Sequence, residues 1–71
     1  MRLATWRSGM YWVTLHKHDW NTPVYSYTGY YDGNTIDVDS DEKAVQYMQD
    51  LVESGLFLPA ELEVPAMKRV E

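Results

Sequence analysis

The stretch that decides the fold class lies at residues 39–55 and reads DSDEKAVQYMQDLVESG. Its apolar side chains fall within an arc of about 120° on a helical wheel; they are Ala44, Val45, Met48, Leu51 and Val52. Asp39 is expected to cap the helix, and Glu42, three residues later, completes a pair like a capping box. Gly55 suits the left-handed backbone position that ends many helices. The pattern predicts one amphipathic helix over residues 40–54.

A first hairpin is predicted near the start of the chain. Residues 10–17 read MYWVTLHK and are rich in the β-branched and aromatic side chains that favour strands. Residues 3–7 are the expected partner strand, and Ser8 and Gly9 are expected to form the turn between the two.

A second hairpin is predicted in the middle of the chain. Residues 24–31 resume strand character, and Asp32 and Gly33 follow at once. This dipeptide tolerates the positive φ values of a two-residue hairpin turn. Residues 35–38 are the expected return strand. Two hairpins in succession predict an antiparallel meander.

The end of the chain is open to two interpretations. Residues 62–64 form a short edge strand, or Pro59 or Pro65 begins a helical turn. We predict an α+β fold in the order β(β)βαβ, with three to four antiparallel strands and one amphipathic helix packed across them. A chain this short accommodates one domain, at residues 1–71.

Charge is strongly segregated along the chain. The formal net charge is −5, yet residues 1–31 carry +2 and contain eight of the ten aromatic side chains. Residues 32–63 carry −8, and residues 64–71 carry +1. We expect an aromatic, weakly basic half and a strongly acidic half, as two faces of one domain.

The composition excludes several classes of protein. Cysteine is absent, which excludes disulfides and cysteine-based zinc sites. No stretch approaches the roughly 18 consecutive apolar residues of a membrane span. Charged side chains, Arg2 and Arg7, interrupt the start of the chain, unlike a secretory signal. The expected location is the cytoplasm, with no membrane contact.

Two short motifs resemble metal sites. His16 and His18 would point to the same side of a strand, where both imidazoles could reach one zinc ion. Residues 37–42 begin like a calcium-binding loop, but Glu42 stands at the sixth position, where that loop needs glycine, and Met48 stands at the twelfth instead of Glu. We predict no bound metal and no other cofactor.

Catalysis finds little support in the sequence. Nucleophile motifs and phosphate-binding glycine loops are absent. Asp37 and Asp39 are carboxylates that could transfer protons, but so small a domain can hardly enclose a dry cleft around them. We predict that the protein is not an enzyme.

The aromatic strand raises the alternative of single-stranded nucleic-acid binding. Tyr25, Tyr27 and Tyr31 would share one strand face, where bases could stack on them. Affinity for phosphates needs Lys and Arg, however, and the chain has six basic residues against eleven acidic ones. A nucleic-acid-binding or metal-dependent module, using the aromatic sheet or His16 and His18, therefore stays the second hypothesis.

Protein binding is the first hypothesis. Exposed Tyr and Trp anchor protein interfaces, and acidic groups attract a basic partner. The predicted partner-binding residues are Tyr30, Tyr31, Asp32, Asp37, Asp39, Asp41 and Glu42. If these acids are only a solvated surface, the interface would lie on the sheet around Trp12, Trp20 and Tyr25.

The layout resembles that of small, acidic, cysteine-free proteins of phages that inhibit host machinery: anti-CRISPR proteins, DNA mimics and inhibitors of host RNA polymerase. The order of residues 11–15 (YWVTL), 23–25 (PVY) and 41–45 (DEKAV) is similar to that in a short phage inhibitor of bacterial RNA polymerase. The resemblance implies a non-catalytic inhibitor in the host cytoplasm. Its partner would be a protein with a basic surface, such as a CRISPR effector or RNA polymerase. It implies no direct nucleic-acid contact and leaves homodimerisation open.

Overall fold

The computed structural model describes residues 1–29, 33–59 and 67–71. Within these residues, five strands and one helix follow one another: β1 (Arg2–Ser8), β2 (Tyr11–Lys17), β3 (Tyr25–Gly29), β4 (Gly33–Ile36), α1 (Asp41–Glu53) and β5 (Lys68–Arg69). The strands form one sheet in the order β4-β3-β2-β1-β5, and every neighbouring pair is antiparallel. The predicted α+β fold, a meander with one helix across it, is confirmed.

The helix begins one residue later than the expected cap. Ser40, in extended conformation, is the N-cap, and its hydroxyl accepts a hydrogen bond from the Lys43 backbone N–H at 3.2 Å. The prediction that Asp39 caps the helix is wrong, because the Asp39 carboxylate pairs with the Lys43 ammonium instead. The end of the helix agrees with the prediction: Gly55 has a φ of +79° directly after the C-cap residue.

The first hairpin turns at Gly9 and Met10, because Ser8 pairs with Tyr11. Gly9 has a φ of +59°, which L-residues with a side chain rarely adopt. The predicted turn at Ser8 and Gly9 is therefore wrong by one residue, and Arg7 pairs with Trp12.

The second hairpin differs more from its prediction. Gly33 is not in a turn but is the first residue of β4, opposite Thr28, and its φ is not positive. Glycine is needed there for another reason: a Cβ on Gly33 would lie 2.6 Å from the Tyr27 backbone oxygen. The predicted two-residue turn is wrong, since four residues separate Thr28 from Gly33. Residues 30–32 lie outside the described residues.

The core lies between α1 and one face of the sheet. Its buried apolar residues are Ala4, Trp6, Val13, Leu15, Tyr25, Ile36, Ala44, Met48, Val52 and Met67. The predicted apolar face of the helix is confirmed, with Val45 and Leu51 half-buried at its margin. The indole N–H of Trp6 donates a hydrogen bond to the Gln49 side chain on α1 at 2.9 Å. The donor group of the largest core residue therefore has a hydrogen-bond partner.

A strand follows the helix, as the predicted order requires, but the described sheet has five strands where three to four were predicted. β5 lies beside β1, where the Val70 N–H donates to the Thr5 carbonyl at 2.8 Å and Met67 enters the core. The edge strand predicted at residues 62–64 falls outside the described residues.

The opposite face of the sheet is not covered by α1. We call it the open face; its side chains follow from strand alternation and the pairing register. They are Arg2, Thr5, Arg7, Trp12, Thr14, His16, Ser26, Thr28, Thr35 and Lys68. These side chains are mostly polar. Arg7, Thr28, Thr35 and Lys68 are exposed, whereas Thr5 and Thr14 are buried and hydrogen-bonded to each other.

Replacing Met48 by Ala is expected to destabilise the fold by about 2–5 kcal/mol, because the side chain is fully buried and its loss leaves a cavity. The matched control is Tyr47→Ala, next to it on the exposed side of the helix, with a loss below about 1 kcal/mol. Urea unfolding followed by circular dichroism measures both. Equal losses would contradict the assignment of the buried helix face.

Candidate functional site

Four predicted site residues lie where the chain passes from β4 into α1. Asp37, Asp39, Asp41 and Glu42 occupy this connection and the first helical turn, and we call them the acidic surface. They lie at the end of the sheet where β2 finishes and β3 begins, since the Lys17 ammonium contacts Asp41. Tyr30, Tyr31 and Asp32, which were predicted to border the acids, are outside the described residues.

Asp41 is held in place by two strands. The Tyr25 hydroxyl donates a hydrogen bond to Asp41 Oδ1, and the Lys17 Nζ lies 3.1 Å from the same oxygen. The hydrogen bond from the Tyr25 hydroxyl lowers the pKa of Asp41 the most, and the Lys17 ammonium lowers it further. The Asp41 carboxylate in turn raises the pKa of Tyr25 to about 12, and burial adds to the effect. This cluster fixes the start of the helix against the sheet.

The sequence alone does not show that Lys17, Tyr25 and Asp41 lie together. Lys17 and Tyr25 are paired across β2 and β3, which only the strand register shows. The sequence contains one signal for this cluster. A lysine ends one strand, a tyrosine begins the next, and the helix that follows begins with acidic residues.

The other three carboxylates of the acidic surface have fewer polar contacts than Asp41. Asp39 lies 2.9 Å from the Lys43 ammonium, and this bond lowers the pKa of Asp39. The pair is exposed on both sides, so it stabilises the fold little. Asp37 and Glu42 are exposed, and neither forms an ion pair with any residue that the structure describes. Their charge is available to a partner.

The acidic surface includes two shallow hollows. The first, of about 430 Å³, lies between α1 and the sheet edge, with Leu3 and Val45 as apolar walls; Asp41, Glu42, Gln46 and Arg69 complete its lining. The second, of about 290 Å³, is lined by Asp37, Val38, Asp39 and Lys43. Carboxylates beside apolar walls suit the long, cationic side chains of Lys and Arg.

An exposed tryptophan lies at the same end of the sheet. Trp20 is 80% exposed in the loop between β2 and β3. Hydrogen bonds close this loop: His18 N–H donates to the Val24 carbonyl at 2.9 Å, and Asn21 N–H donates to the Asp19 carboxylate at 2.8 Å. The indole is therefore presented to solvent by an ordered loop, as interface anchors often are.

The predicted stacking platform of tyrosines does not form. Tyr25 is 1% exposed because it lies on the helix side of the sheet, beneath the start of α1. Tyr27 packs edge-on against Phe57, with ring centroids 5.3 Å apart. Tyr31 lies outside the described residues, and of the other two tyrosines Tyr25 is buried and Tyr27 half-buried.

The two histidines occupy different surroundings. His16 is half-buried on the open face, and His18 is exposed with its Nε2 atom 3.8 Å from the Asp19 carboxylate. In residues 1–29, 33–59 and 67–71, no three His, Asp or Glu side chains are grouped so that they could hold a metal ion. The same residues contain no helix of the length and apolarity that a membrane crossing requires.

Comparison with known proteins finds no similar protein. No family model matches the chain, and neither a curated protein nor a solved structure is significantly similar to it. Function is therefore inferred from the residues and their geometry.

Stability is expected to fall at both ends of the pH scale through Tyr25 and Asp41. The lowered pKa of Asp41 gives stabilisation that is complete above about pH 4 and is lost as the pH falls through the lowered value. The raised pKa of Tyr25 gives stabilisation that is complete below about pH 10 and is lost as the pH rises towards about 12.

The measurement is the melting temperature of the wild type and of Tyr25→Phe across this pH range. The variant should melt lower near neutral pH and should lose less stability than the wild type above about pH 10, because its ring cannot ionise. Parallel alkaline curves for the two proteins would show that the hydroxyl does not hold Asp41.

Proposed function

We propose that this protein is a small, non-catalytic protein-binding module, of the inhibitor type that phages direct against host machinery. Its partner is a protein that handles nucleic acid, of the CRISPR effector or RNA polymerase type. The acidic surface occupies the basic site where that partner holds phosphates, and the protein acts in the host cytoplasm.

The observation that supports this proposal is the placement of four carboxylates at one end of the sheet. Two of them, Asp37 and Glu42, have no ion-pair partner among the described residues. The charges of Asp41 and Asp39 are offset by ion pairs with Lys17 and Lys43, so Asp37 and Glu42 give the surface its excess negative charge. A patch of one sign attracts a partner of the opposite sign and accelerates the encounter.

The nearby tryptophan supports binding to a protein in particular. Charge alone gives fast but weak association, whereas tight complexes bury aromatic anchors. Trp20 exposes a large apolar surface, and Val24 at the end of the same loop is 49% exposed. A partner with an apolar pocket beside its basic site would cover both.

The decisive experiment reverses the free charges. In Asp37→Lys with Glu42→Lys, the association rate with the partner should fall at least about tenfold at low salt and should lose most of its salt dependence. The matched control is Asp50→Lys with Glu53→Lys, which changes the net charge equally at the far end of the exposed side of α1. We expect the control to change the rate by less than about threefold.

Purified bacterial RNA polymerase and CRISPR effector complexes are the first targets, with surface plasmon resonance for rates and transcription or cleavage assays for inhibition. Binding should compete with the DNA or guide RNA of the target. If both charge variants slow association equally, only net charge matters and the acidic surface is not the interface.

Truncation of Trp20 tests the other half of the interface. Trp20→Ala should leave folding intact, since the side chain is exposed, and should raise the dissociation rate about tenfold or more with little change in association. Dissociation measured after washout decides the question. An unchanged dissociation rate would mean that Trp20 lies outside the interface.

A further inference from the structure

We infer that the open face of the sheet binds single-stranded nucleic acid through Arg7, Lys68 and Trp12. This site is separate from the acidic surface and adds a second binding activity to the proposed function. Its residues belong to strands β5, β1 and β2.

The pairing register brings the three side chains together. Arg7 is directly opposite Lys68 on one side and directly opposite Trp12 on the other. Side chains of directly opposite residues start about 4.5–5.5 Å apart. The three therefore form one row of roughly 10 Å across the sheet, in which two cations lie beside an indole.

Neither cation of this row has an anionic partner among the described residues. Arg2 pairs with Glu71 at 2.8 Å, Lys17 with Asp41 and Lys43 with Asp39. The other basic side chain, Arg69, lies over the Trp6 ring and donates to the Glu71 carbonyl. Arg7 and Lys68 are exposed.

Like charges directly opposite each other destabilise a sheet. The Arg7–Lys68 pair is therefore unfavourable for folding, and no described carboxylate offsets it. An anion lying over both side chains would remove the repulsion. The arrangement thus fits a phosphate backbone, which carries such charges in a row.

The rest of the open face has matching chemistry. In the next row Thr28 is exposed, whereas Thr5 and Thr14 are buried and hydrogen-bonded to each other; the row beyond it consists of Arg2, His16, Ser26 and Thr35. Strands β1 to β5 contain no Asp or Glu. The Glu71 carboxylate, which reaches this face, is held by Arg2 and Thr5.

These features favour single-stranded nucleic acid over other anions. Trp12, half-buried beside Arg7, offers an aromatic surface on which an unpaired base can stack, and the exposed cations Arg7 and Lys68 can bind phosphates. An acidic peptide would use the charges but not the stacking surface. A membrane would need several apolar side chains to insert, and this face carries polar ones around Trp12.

The acidic total charge does not prevent this. Trp12 and Lys17 lie five residues apart in β2, so the Arg7 row and the Asp41 end of the sheet are separated by about 17 Å. That distance exceeds the Debye length of about 8 Å at physiological salt. Each surface therefore acts largely through its own charges.

The test is fluorescence anisotropy with labelled 12-nucleotide oligo(dT) and oligo(rU) at low salt. We expect saturable binding with a slope of log affinity against log salt near −1.4, for about two phosphate contacts. Arg7→Gln should weaken binding about five- to tenfold. The control Leu56→Glu, which changes net charge equally at an exposed site after α1, should weaken it less than about twofold.

Lys68→Glu separates binding from folding. It turns the repulsive pair into an attractive one, so the melting temperature should rise while oligonucleotide affinity falls at least as much as in Arg7→Gln. If Lys68 affected binding only through folding, oligonucleotide affinity and melting temperature would change in the same direction.

Three results would overturn the inference: no binding of either oligonucleotide, equal effects of Arg7→Gln and Leu56→Glu, or equally tight binding of poly-L-glutamate of the same length. Comparison of the two oligonucleotides shows whether DNA or RNA is preferred. None of these measurements involves the protein partner, so each proposal can fail without the other.

Discussion

The packing of α1 against β1 and β2 is the interaction on which the rest of the protein depends. Ala44, Met48 and Val52 cover one face of the sheet, and Trp6 is enclosed there with its indole N–H bonded to Gln49. A chain of 71 residues has little apolar surface to bury, so this one layer carries most of the hydrophobic stabilisation. Since the helix covers one face, the other must remain compatible with water, and its threonines, serine and charged residues follow from that constraint.

The same constraint separates the charges. The strands carry basic and hydroxyl side chains but no carboxylates, whereas the described acids lie on the helix, in the segment before it, at Asp19 and at Glu71. The cluster of Lys17, Tyr25 and Asp41 is the place where the two sets meet, and there the charges neutralise each other. The result is a protein with an acidic end and a basic face.

Local patterns in the sequence predicted the elements but not how they meet. The helix follows from the 3.6-residue spacing of its apolar residues, and the α+β class from that helix beside strand-forming segments. The strand register could not be predicted, because it depends on the exact position of the turn. A turn at Ser8 and Gly9 would pair Arg7 with Met10, whereas the turn at Gly9 and Met10 pairs Arg7 with Trp12. The two-residue strand β5 has no pattern of its own, because contacts with distant β1 define it. The charged row on the open face could therefore be found only in the structure.

Strand β4 has a consequence for how the protein behaves at high concentration. It is an edge of the sheet in the described structure, it contains no charged residue, and Gly33, Asn34 and Thr35 are exposed. Edge strands offer backbone donors and acceptors to other chains and so promote aggregation. Natural proteins limit this by keeping such strands short and adding charge, and β4 has four residues followed at once by Asp37. Asp37 thus serves as a gatekeeper against self-association.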